Sequence, residues 1–174
     1  MEEKGIQCKM FSPLRPFLST HYNNRDHRKI LVIDGKVGFT GGVNIGDEYI
    51  NRRAPFGHWK DTALMLKGDA VEGLTQMFLQ MWNVTERREE QYQKYLLPKQ
   101  NDNTQNTQNT QGGFVMPFAD SPFDQEQVGE TVYMDIINRA VDYVHIMTPY
   151  LILDNEMVTA LKKKKKRGVD VKLI

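Results

Sequence analysis

Apolar residues recur along this chain in short blocks with two different spacings. Ile30 to Ile33 and Lys36 to Thr40 are β-prone runs on either side of Asp34-Gly35. An Asp-Gly pair flanked in this way predicts a hairpin closed by a type I′ turn. Val71, Leu74, Met77, Phe78, Met81 and Trp82 instead recur at helical spacing and predict a helix over 69–84 with one apolar face. Asp69 is its expected N-cap, with Glu72 three residues on. The Met and Trp residues of that stripe read as core packing. Further along, the pattern predicts a helix at 128–142, a strand from Tyr143 to Thr148, a loop through Pro149, a helix at 155–167 and a strand at 169–174. Gly168 is well suited to end the second of those helices. Residues 1 to 25, where Pro13 and Pro16 break short apolar stretches, read as a strand and an irregular lead-in. Helices alternating with strands place the chain in the α/β class.

Between the two halves lies NDNTQNTQNTQGG, residues 101 to 113, with nothing apolar to offset the entropy of ordering. A flexible linker is expected over 99–113, separating a first domain at 1–98 from a second at 114–174. The 174 residues suffice for a real core. With 23 basic and 22 acidic residues the net charge is +1, so no overall basic field points to nucleic acid. The single cysteine, Cys8, excludes an internal disulfide framework and a cysteine-based zinc site. No signal peptide is recognisable, and no apolar run is long enough to span a bilayer.

Candidate chemistry concentrates at residues 27 to 44, HRKILVIDGKVGFTGGVN. His27 and Lys29 stand two apart in a run that reads as a strand, so they share a face. An imidazole beside a fixed ammonium suits a phosphate group: the ring can attack phosphorus while the ammonium holds the anionic oxygens. Gly41 and Gly42 allow close backbone approach, and Asn44 can donate its amide hydrogens to the same phosphate. Asp34 has the opposite parity to His27 and reads as the first residue of the turn, orienting the loop and carrying no proton. A metal site is disfavoured, because Lys29 would set a positive charge beside the ion; no cofactor is expected.

Written as H-x-K-x4-D-x6-G-G-x-N, this pattern resembles the HKD motif of the phospholipase D superfamily. The flanking segments GGVNIGDEYI at 41–50, GHWKDT at 57–62, DSPFDQEQVGETVYMDIINRA at 120–140, MTPYLILDNEM at 147–157 and RGVDVKLI at 167–174 are similar to those of the bacterial cardiolipin synthases. The resemblance implies a phospholipase D-like mixed sheet flanked by helices, and two similar lobes that each give one HKD motif to a shared site. One histidine attacks and the other protonates the leaving group. The implied reaction joins two phosphatidylglycerol molecules into cardiolipin and releases glycerol. The implied setting is the cytoplasmic side of the cell membrane, with an N-terminal pair of membrane segments, anionic phospholipid as substrate and the second lobe of the same parent chain as partner.

No second H-x-K-x4-D is present. The chain is therefore expected to be a fragment holding parts of two lobes, soluble and inactive by itself. His145, in V-H-I-M, reads as a strand histidine packed in the second lobe. Tyr150 resembles a residue lining the family's second half-site, or is a packing residue. Trp59 reads as packing, and Asp61 as a hydrogen-bonding residue near the site. The basic run Lys162 to Arg167 reads as a solvated helix end, with contact to anionic lipid as the alternative. Two other functions stay open: a phosphodiesterase of the same superfamily, and a non-catalytic membrane-binding lobe. Sparse basic-aromatic interleaving argues against a nuclease.

Overall fold

The computed structural model describes residues 1–11, 26–55, 57–84, 91–98, 113–120, 125–148 and 150–174. Pro13, Pro16, Pro149 and, save for Gly113, the expected linker at 99–113 lie outside the described residues. The chain divides into two compact units, Met1–Pro117 and Phe118–Ile174. Among the described residues no helix is long and apolar enough to cross a membrane.

The first unit is built on a three-stranded antiparallel sheet in the order β1 (Ile30–Ile33), β2 (Val37–Gly41), β3 (Ala63–Lys67). Asp34 and Gly35 hold φ of 53° and 64°. Those are the two positive values that a type I′ turn requires, and the Lys36 N–H closes the turn on the Ile33 carbonyl at 2.9 Å. In the register, Leu31 faces Phe39 and Ile30 faces Thr40. β3 pairs with β2 through Phe39–Met65 and Gly41–Ala63, and was not foreseen. Its ALMLK sequence lacks the alternation that marks a half-buried strand.

Helix α1 (Val71–Asn83) packs on β1 and β2, burying Val71, Leu74, Thr75 and Leu79. Val71 and Leu74 sit directly over Gly38. Two expectations are corrected here. The N-cap is Ala70, with no side-chain cap, because a 3-10 turn over Gly68–Ala70 runs straight into the helix and takes up Asp69. The apolar stripe is only partly core: Phe78 is 47 % exposed and stacks on Trp82 with ring centroids 5.8 Å apart. Burial favours Thr75 and Leu79, the positions turned toward the sheet. On the opposite sheet face Leu31 and Ile33 remain about half exposed, at 55 % and 47 %. Among residues 1–11 there is a 3-10 turn at Glu2–Lys4 and no strand.

The second unit pairs two parallel strands, β4 (Tyr143–Ile146) and β5 (Asp170–Leu173), with helices α2 (Val128–Arg139) and α3 (Asn155–Lys166). Val144 and Val169 from the strand side meet Ile137, Ala160 and Leu161 from the helices in one buried cluster. The elements come in the expected order but end earlier, α2 at Arg139 and β4 at Ile146. Asp154 caps α3 by accepting the Met157 N–H at 2.7 Å, as a short acidic side chain does at a helix start. Gly168 follows α3 with φ +90°, a left-handed conformation open to glycine.

The basic run on α3 is not uniformly solvated. Lys164 is 6 % exposed, and its Nζ donates to the Asn138 and Ala140 carbonyls at 2.6 and 2.9 Å. Those carbonyls close the C-terminal end of α2, where a cation also meets the favourable end of the helix dipole. Lys162, Lys163, Lys165, Lys166 and Arg167 point to solvent.

Candidate active site

His27 and Lys29 lie immediately before β1, and their side chains meet. Lys29 Nζ is 3.0 Å from His27 Nδ1 and donates to the His27 carbonyl at 2.6 Å. An ammonium has no acceptor, so Nδ1 takes the hydrogen bond. Both residues are accessible, His27 exposed and Lys29 half-buried. The residues on either side of His27 point the other way. Arg28 and Asp26 join Ile30, Met77 and Trp82 around a cavity of about 260 Å³ beside α1.

Arg28 grips Asp26 with its backbone N–H at 3.0 Å, Nε at 2.8 Å and a terminal guanidinium nitrogen at 3.0 Å. Partial burial pushes the Asp26 carboxyl up, but the Arg28 hydrogen bonds and the Arg28 and Lys29 charges outweigh it and hold the group below its ordinary range. This bidentate pair ties together the two residues that flank His27. It was missed in the sequence, although an acid and an arginine two apart around the histidine were visible there.

Asp34 stands apart from that pair. It begins the hairpin turn and lines a second cavity, of about 660 Å³, with Val32, Thr75, Leu79, Tyr95 and Leu97.

Gly41 and Gly42 are crowded by protein. A Cβ at Gly41 would come within 2.5 Å of the Thr62 carbonyl, and one at Gly42 would collide with the Asp61 carboxylate. Asp61 is held there by the Thr62 N–H at 2.7 Å and the Trp59 indole N–H at 3.1 Å. Trp59 meets Tyr49 edge to face, centroids 4.9 Å apart and planes at 69°. The Tyr49 hydroxyl accepts from the Asn44 side-chain amide. Asn51, itself at φ +59°, clamps the Trp59 backbone from both sides, accepting its N–H at 2.7 Å and donating to its carbonyl at 2.9 Å. Asn44 therefore ends a chain of contacts that starts two residues earlier at Gly42. No hydrogen bond among the described residues joins Asn44 to His27 or Lys29. Tyr49 and Asn51 had not been singled out from the sequence, where nothing sets a loop tyrosine or asparagine apart. Trp59 packs, as its sequence suggested. Among the described residues no group of three or more His, Cys, Asp or Glu is placed to hold a metal ion.

The sequence profile described as "Cardiolipin synthase, PLD-like domain" matches residues 133–174. A cardiolipin synthase of Alkalihalophilus pseudofirmus is 38% identical over 176 residues, which take in 100% of this chain and 34% of that protein. One from Geobacillus thermodenitrificans is 40% identical over 171 residues, 98% of this chain and 33% of its own length. Over its whole length the chain is thus similar to one part of bacterial cardiolipin synthases, and its last 42 residues match their phospholipase D-like domain. An uncharacterized protein of Streptococcus mutans is 55% identical over all 174 residues, 36% of its own length. This cardiolipin synthase-like chain thus spans about a third of the length of the curated relatives it matches. No solved structure matches it.

The family profile falls on the second unit of this phospholipase D-like chain, whose polar face differs from expectation. His145 is not packed. β4 alternation buries Val144 and turns His145 outward, where Nε2 is 3.0 Å from Asp170 Oδ2. Lys172, across the parallel register from His145, reaches the same oxygen at 2.9 Å. The His145 hydrogen bond, then that of Lys172, hold the exposed Asp170 carboxyl down at about 2. Tyr150 is 81 % exposed, its backbone tied only locally to Thr148.

Proposed function

We propose that this chain carries the nucleophilic half-site of a phosphatidyl transferase that makes cardiolipin from phosphatidylglycerol. The observation that carries the reading is the accessible His27 imidazole with the Lys29 ammonium 3.0 Å from its ring nitrogen. A phosphodiester arriving there draws Lys29 onto its non-bridging oxygens, and this releases the imidazole lone pair for attack on phosphorus. A nitrogen–phosphorus bond forms, and the bond from phosphorus to the glycerol oxygen of the first phosphatidylglycerol breaks. The leaving oxygen takes a proton from an acid on the second lobe of the parent chain and departs as glycerol. The glycerol hydroxyl of a second phosphatidylglycerol then attacks phosphorus, giving its proton back to that second-lobe group; the nitrogen–phosphorus bond breaks, cardiolipin is released and His27 is restored. In this reading Asn44 adds an amide donor to the phosphate, Gly41 and Gly42 bring the loop close to it, and Asp34 holds the hairpin in register. The parent protein works on anionic phospholipid at the cytoplasmic face of the cell membrane, without a metal or other cofactor.

The test uses the full-length gene product on phosphatidylglycerol vesicles. Cardiolipin and glycerol should appear in equal amounts, with a phosphatidyl group trapped on histidine after acid-free quenching. His27→Ala should lower turnover on the order of 10⁴-fold or more, as loss of a nucleophile does. Phosphatidic acid in place of cardiolipin would identify a hydrolase. Unchanged turnover in His27→Ala would remove the reading altogether.

A further inference from the structure

We infer that Tyr49 is a positioning residue for Asn44, and that the Trp59–Asp61 segment exists at this place in the loop to hold Tyr49. The inference rests on Asn44 being a phosphate donor, as proposed above. An asparagine amide has two hydrogens on Nδ2 and rotates about its terminal torsion with a broad, shallow preference. A donor that must meet developing charge needs its direction set beforehand, because orientation gained during the reaction costs free energy in the transition state. Here one Nδ2 hydrogen is committed to the Tyr49 hydroxyl. That bond fixes the plane of the amide and aims the other hydrogen.

The support behind Tyr49 is continuous. Its ring is set by the edge of Trp59, 4.9 Å away. Trp59 is pinned at its backbone by both ends of the Asn51 amide and at its indole by Asp61. Asp61 in turn lies against Gly42, where any Cβ would displace it. The path leaves the glycine pair, passes through residues 61, 59 and 49, and returns at residue 44. Each residue in it is exposed or half-buried, so the sequence has little to gain in core packing from this set. Their common effect is to leave the short segment 42–44 with one geometry.

The experiment is a double-mutant cycle in the full-length gene product, measuring kcat and KM on phosphatidylglycerol vesicles. Asn44→Ala should lower kcat about a hundredfold, the usual loss for one preorganised donor. Tyr49→Phe keeps the ring against Trp59 and removes only the hydroxyl. It should lower kcat about tenfold with KM changed less than about twofold, because misaimed donors fail in the transition state more than in the ground state. The double variant should be no slower than Asn44→Ala alone, since Tyr49 acts only through Asn44. Wild-type kcat in Tyr49→Phe, with Asn44→Ala impaired, would overturn the inference. So would a double variant whose loss is the product of the two single losses. A packing role for Tyr49 predicts that Tyr49→Phe is fully active and only Tyr49→Leu is damaged, which also overturns it. Full activity in Asn44→Ala would strike down the phosphate-donor reading beneath, a different outcome from the others.

Discussion

Replacing Lys164 by Met should loosen the second unit, although five neighbouring basic residues can be replaced with little effect. Methionine keeps the apolar stem and removes the ammonium. The loss is two charge-assisted hydrogen bonds, to the Asn138 and Ala140 carbonyls at 2.6 and 2.9 Å. A hydrogen bond to a charged group contributes roughly 1.5–3 kcal/mol net. Asn138 is exposed and Ala140 half-buried, so water can re-solvate much of what is freed at the end of α2. About 2 kcal/mol of net destabilisation results, near one hydrogen bond's worth instead of two. Native-state hydrogen exchange on the whole chain reads this directly. Amides of Val144 and Lys172, in the strands that α2 and α3 cover, should exchange about 30-fold faster in Lys164→Met. Lys163→Met, one residue away and exposed, should change them by less than about threefold. Equal exchange rates in the two variants would refute the reasoning, since burial and partners are what separate the two lysines.

Further outcomes follow from the same geometry. Gly42→Ala should destabilise the first unit by about 1–3 kcal/mol in urea unfolding, because its Cβ takes the place of the Asp61 carboxylate; adding Asp61→Ala should restore part of that loss, and a purely additive pair would contradict the contact. Asp170 should titrate near 2 by carboxyl NMR, and His145→Ala or Lys172→Met should move it up toward the ordinary value of 3.8. Because the folded carboxyl is depressed, its stabilising effect is fully present above pH 3.8 and is lost as pH falls toward 2. Asp170→Asn should therefore weaken the fold at neutral pH and match the parent chain at the acid end of that window; a pH-independent difference would argue against the pairing.

Much of the scaffold was legible because local rules and tertiary structure agree. Asp34-Gly35 names its own turn, and Gly168 names a helix end. Where they disagree, packing decides. Asp69 has the chemistry of an N-cap, yet the chain enters α1 through a 3-10 turn and leaves it uncapped. Phe78 has the right spacing for the core but lies at the rim, and Thr75 is buried with its hydroxyl bonded to the Val71 carbonyl at 3.0 Å. The pairing of His27 with Lys29 could be foreseen from alternation alone. The path from Gly42 to Asn44 could not, because its links join residues two to nineteen positions apart through loop geometry that no period describes. Lys164 shows the same limit: six basic residues in a row look alike until the fold selects one of them.

The hairpin gives the motif's spacings a material meaning. The four positions between Lys29 and Asp34 are strand β1 itself, Ile30–Ile33, and the six between Asp34 and Gly41 are the rest of the turn with β2. The gaps in H-x-K-x4-D-x6-G-G are thus lengths of a ruler folded in half. One residue inserted into β1 would exchange the two sides of the strand, sending Leu31 and Ile33 against α1 and Val32 into water. One residue inserted into β2 would slide Gly41 off Ala63. Substitution inside this stretch is graded by size and charge; insertion and deletion are all-or-none. Descendants of this sequence can therefore vary the letters between the anchors widely, and the count hardly at all.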